Sequence, residues 1–170
     1  MTRSLVIGLA SLMASSVQGQ DDAPFADAAG RLSIQFPAPP RREVVPVLRE
    51  DTDDLQVVVF SARHDGRTWV ASYSDLARPA ADPTHAEAVL DHSRDGVAAH
   101  ARGTVADEKR IAIEKSPGRS FTLNMAGGSA AKVRLFLVGN RLYHLMVIGT
   151  PTGLGDPSVP AFLDSLKLTR

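Results

Sequence analysis

The sequence predicts an α+β fold, a central antiparallel sheet of about eight strands flanked by one long and one short helix. Three observations predict it. Short apolar segments with period-two alternation recur along the chain, mostly joined by turn residues, which favours hairpins and antiparallel pairing. One stretch, residues 81–103, changes to a helical period. Segments such as DLQVVVFSA (54–62) are apolar on both parities, so layers are expected above and below the sheet.

Residues 1–19 read as a cleaved signal peptide rather than as fold. Met1-Thr2-Arg3 is a short positive start, SLVIGLASLMA is an apolar run too short to span a bilayer comfortably, and Val17 and Gly19 occupy the small-residue positions before a cut. Residues 20–29, small, acidic and rich in Ala, are expected to form a flexible lead-in. A single α+β domain is expected over residues 30–170, with no repeat and no second linker.

The chain has 19 basic and 19 acidic residues, and cleavage would remove Arg3 and no acid. The mature protein therefore has no strong field to draw nucleic acid or an anionic membrane. There is no cysteine, which excludes disulfides, thiol nucleophiles and thiolate metal sites. About 150 residues can bury a core without such staples.

Within the domain, RLSIQFP (31–37) alternates and stops at proline, as a strand does. EVVPVL (43–48) is a weaker strand whose Pro46 suggests a sheet edge. DLQVVVFSA passes through Asp65-Gly66, a hairpin signal, into RTWVASYS (67–74). The helix over 81–103 has two start signals, Asp82-Pro83 and the Thr84/Glu87 capping box, and Gly103 stops it. Its inward face is Ala86, Val89, Leu90, Ser93, Val97, His100 and Ala101; Glu87, Asp91, Arg94, Asp95 and Arg102 are expected in solvent. Strands return at 104–115 and 119–125 around a turn at Pro117-Gly118, then at VRLFLVGNRLYHLMVIG (133–149). Gly139-Asn140 there makes a two-residue turn, which sets Leu135 opposite His144 and Phe136 opposite Tyr143. AFLDSLKL (161–168) closes the chain as a short helix, with Ser158 or Asp156 to cap it.

Candidate chemistry is sparse. His144 shares a face with Val133, Leu135, Leu137, Leu142, Met146 and Ile148, and is read as a neutral packing residue bonded to a carbonyl or to the covering helix. Its functional alternative is a general base. His100 is read as a second half-buried structural histidine. His85 and His92 are seven apart on the helix, roughly 10 Å, too far to share one ion directly. With Asp95 or Asp91 they form only a weak metal candidate. DTDD (51–54) lacks the glycine and distal glutamate of a calcium loop, and AGGSAAK (126–132) leads into a strand where phosphate loops lead into a helix. Arg134, Arg141 and Tyr143 share the other hairpin face and form a candidate partner surface.

GRLSIQFPAPP, KVRLFLVGNRLYHLMVIG and FLDSLKL, in that order, resemble a group of small exported bacterial domains, similar in turn to the Mog1/PsbP-like fold family. Leu166 stands where that pattern leads one to expect an aromatic. The resemblance implies a sheet sandwiched between helices and members that are usually binding or accessory proteins rather than enzymes.

The expected protein is therefore secreted or periplasmic, a non-catalytic binding or accessory domain. Its expected partner is an envelope or extracellular protein, with no nucleic acid, no cofactor and no membrane insertion after cleavage. Two alternatives stay open: a small hydrolase with a spatially assembled Ser/His/Asp site using His144 or His100, and a weak metal-binding domain.

Overall fold

A computed structural model describes residues 23–47 and 55–169. The proposed signal peptide and the DTDD turn lie outside the described residues. The strands are β1 (Phe25–Asp27), β2 (Leu32–Ile34), β3 (Arg41–Val47), β4 (Leu55–His64), β5 (Arg67–Asp75), β6 (Thr104–Ile113), β7 (Ser116–Asn124), β8 (Ala130–Val138), β9 (Arg141–Gly149) and β10 (Lys167–Leu168). The helices are α1 (Pro83–Ala101) and α2 (Ser158–Asp164). No described helix is long and apolar enough to cross a membrane.

The α+β class holds, but the strands divide into two sheets. Seven form an antiparallel sheet in the order β3-β4-β5-β9-β8-β7-β6, and β1-β2-β10 form a separate small one. RLSIQFP therefore does not join the main sheet. Leu32 and Ile34 point into the core, and the strand pairs instead with β1 and with the chain's last strand.

Each side of the main sheet has its own apolar layer. On one, Phe60, Trp69, Tyr143, Leu145 and Val147 pack with Leu32, Ile34 and the α2 residues Val159, Phe162 and Leu163. On the other, Phe121, Leu123, Val133, Leu135, Leu137 and Leu142 pack with Ala86 and Leu90 of α1. Pro46 marks an edge as expected: among the described residues β3 pairs only with β4.

Several local expectations are corrected. The lead-in is part of the fold from Phe25 onward, because its ring packs at 4.8 Å from Phe60 and 5.9 Å from Phe36. The β6–β7 turn falls at Glu114-Lys115, with Glu114 at φ 52°, and not at Pro117-Gly118. Pro117 sits inside β7 because β8 stops pairing at Gly118, so no strand needs its missing N–H on that side. Gly118 is required in the strand: a Cβ there would lie 2.4 Å from the Leu135 carbonyl oxygen. The closing helix ends at Asp164, and Lys167–Leu168 is a strand.

α1 starts as read from Asp82, whose carboxylate accepts from the His85 N–H at 2.9 Å. It ends in a left-handed Arg102, and Gly103 N–H donates to the Ala98 carbonyl. At the start of α2, Asp156 accepts from the Ser158 N–H at 2.9 Å.

Candidate functional site

The hairpin register places His144 as predicted, opposite Leu135 on β8 and Ser72 on β5. It is half-buried, and desolvation pushes its imidazole down from 6.5 to about 4, so it is neutral near pH 7. The expected partner is not found: among the described residues neither ring nitrogen has a hydrogen-bond partner. The reason is geometric. α1 makes its main contacts with β7 and β8, one strand short of β9. Ser72, its cross-strand neighbour, is not hydrogen-bonded to it, and no carboxylate among the described residues holds it.

His100 is exposed rather than half-buried, because at that end of α1 the residues that pack on the sheet are Val97, Ala98 and Ala101. His85 serves the helix start, its Nδ1 accepting from the Ala81 N–H at 3.2 Å. His92 is exposed, and Asp95 is engaged by Arg94 at 2.9 Å. Among the described residues no three His, Asp or Glu gather as a metal site. Gly127 and Gly128 both take positive φ in the loop before β8, and no helix follows them.

The charged flank of α1 is not a solvated face. Arg119 on β7, 4 % exposed, donates to Glu87 and, at 3.0 Å, to Asp91. Its Nε lies 3.3 Å from Glu108 of β6. Arg94 bridges Glu108, Asp91 and Asp95, and Arg110 lies 3.4 Å from Glu87. The Arg119 hydrogen bond holds the Glu87 carboxyl below the usual glutamate range. Arg119 shares a strand parity with Phe121 and Leu123, and that placement of a charge on an apolar face was the signal available in the sequence.

The three residues of the candidate partner surface are engaged inside the chain. Arg141 donates twice to Asp75, at 2.6 and 2.7 Å, and once to the Ala29 carbonyl, with its guanidinium 4.7 Å from the Tyr73 ring centre. The hydrogen bond from Arg141 lowers the Asp75 carboxyl pKa. Tyr143 is buried, and its hydroxyl donates to the Gly30 carbonyl at 2.8 Å. Arg134 donates to the Leu163 carbonyl at 3.1 Å and pairs with Asp164. Arg141 and Tyr143 thus bind the β1–β2 turn to the main sheet, and Arg134 binds the end of α2.

Two surfaces among the described residues offer chemistry to a partner. Val44 and Val45 on edge strand β3 are exposed large apolar side chains, at 44 % and 43 %. On the α2 side of the sheet, β6, β7 and β8 form a cleft of about 350 Å³ lined by Lys109, Ser120, Thr122, Lys132 and Arg134. No protein-family model matches the chain, and no curated protein matches it.

Proposed function

We propose that the chain is an exported, non-catalytic binding or accessory domain that takes an extended segment of an envelope or extracellular protein along β3. The observation that carries this is the pair Val44 and Val45, adjacent, on opposite faces and exposed on a sheet edge. An edge strand offers unpaired N–H and C=O groups, and flanking apolar side chains add grip on both faces. The opposite edge, β6, is bulged between Ala106 and Lys109, a feature that discourages pairing, whereas β3 keeps an unbroken register with β4 although Arg41, Arg42, Glu43 and Pro46 also lie on it. Export rests on the pattern of residues 1–19 and implies a mature chain starting at Gln20. The resemblance to the Mog1/PsbP-like fold is part of the same reading, supported by helices on both sides of an antiparallel sheet.

The test is a paired substitution, Val44→Lys with Val45→Lys. The immobilised domain should lose its envelope-protein partner while its melting temperature stays near that of the unmodified chain, since neither side chain belongs to the buried core. Undiminished capture by the folded variant would overturn the proposal.

A further inference from the structure

The cleft on β6, β7 and β8 is built by a register shift. Ala106 pairs with Thr122, and the next pair is Lys109 with Ser120. The strand thus sets two residues, Asp107 and Glu108, against the single Phe121, and Asp107 adopts φ 53° to do so. The bulge sorts the charges. Glu108 turns to Arg119 on the α1 side, and Lys109 turns to the other side. β8 continues the rungs, Arg134 beside Ser120 and Lys132 beside Thr122. Lys109-Ser120-Arg134 and Thr122-Lys132 are therefore neighbouring rungs on one face, on strands about 4.8 Å apart.

Most of these groups lack an acceptor; Arg134 is the exception, with the Leu163 carbonyl and Asp164. Seven arginines in the described residues pair with carboxylates, among them Arg94, Arg119 and Arg141. The ammonium groups of Lys109 and Lys132, two of the chain's four lysines, have no ion pair or hydrogen bond among the described residues. The hydroxyls of Ser120 and Thr122 have no side-chain hydrogen bond there either. Arg134 is neutralised by Asp164 through Nη1, but its Nε is buried and unpartnered. An unpartnered buried donor is costly and is rarely left so. Asp107 is the one acid lining the cleft, so the two lysines outweigh it.

We propose that this cleft binds a tetrahedral oxyanion, the phosphoryl or sulfuryl group of a small ligand. The donors come from three strands and two rungs, a spread that suits several oxygens pointing in different directions better than the two of a carboxylate. The site is on the β6–β8 side of the molecule and is independent of partner binding at β3.

The experiment uses the full mature chain, with amide chemical shifts followed by NMR during additions of inorganic phosphate, sulfate and acetate, each against sodium chloride at equal ionic strength. Phosphate or sulfate should give saturable shifts at Ser120, Thr122 and Lys132, and whichever binds more tightly names the group. Lys109→Gln with Lys132→Gln should weaken that binding by about tenfold or more, and Lys167→Gln on β10 should leave it unchanged. Both variants are surface changes whose folding the same spectra report. Absent saturation, equal binding in the double variant, or acetate binding as tightly as phosphate would each overturn the proposal.

Discussion

Arg119 of β7 reaches Glu87 of α1 with a guanidinium almost fully removed from water. The bond adds a charged tie to the apolar contact between helix and sheet, in which Ala86 and Leu90 are buried and Val89, Val97, Ala98 and Ala101 partly buried. Replacing Arg119 with Met takes the buried cation from among Glu87, Asp91 and Glu108 and leaves them only Arg94 and Arg110. The cost should be about 2–3 kcal/mol, below the full penalty for a buried pair because the carboxylates are partly solvated. Urea denaturation at pH 7 measures it; a change below about 0.5 kcal/mol would show the bond to be incidental.

The same pair gives a pH dependence. Glu87 is held more acidic in the fold than in the unfolded chain, so its contribution is present above the ordinary glutamate range and fades as pH falls through it. The Arg119→Met variant should lose this part of the acid sensitivity. Parallel stability profiles for the two proteins below pH 5 would contradict the assignment.

His144 behaves with the opposite chemistry and the same direction. Its folded imidazole titrates at about 4 and its unfolded one near 6.5, so between these values the unfolded chain binds the extra proton. Stability from this group is present above pH 6.5, declines toward pH 4 and falls no further below. His144→Leu should flatten that window and be more stable than the parent near pH 5, by about 1–2 kcal/mol. A folded-state imidazole titrating near 6.5 by NMR would sink this account.

Gly118→Ala should destabilise by about 1–3 kcal/mol, since the new methyl group meets the Leu135 carbonyl and the Phe136 ring in the middle of paired strands. Gly96→Ala, where a Cβ meets open space on an exposed helix position, should instead stabilise by about 0.5–1 kcal/mol. Thermal melts of the two variants, moving in opposite directions, check both.

What was legible in the sequence was local. The two-residue turn at Gly139-Asn140 fixes the whole β8–β9 register, and each predicted pair around His144 is found. Asp82 and Gly103 bound α1 because capping uses neighbours in the chain. Where the local cue conflicts with a distant contact, the reading failed. Pro117-Gly118 looks like a turn, yet Gly118 is there because β8 comes close, a fact carried by Leu135 and Phe136. The seams through Arg119, Arg134 and Arg141 join residues about thirty to more than a hundred positions apart, and no period reports that. The donor cleft depends on a bulge at Asp107 whose side-swapping effect on Glu108 and Lys109 is invisible until the strand is paired.

The central claim is that β3 is where a partner docks. A photo-cross-linking amino acid placed at Val44, with a second protein carrying it at exposed Ala99 on α1, tests this in living cells. The account predicts a discrete adduct from position 44 and none from position 99. No adduct at 44, or the same adducts from both positions, would contradict it.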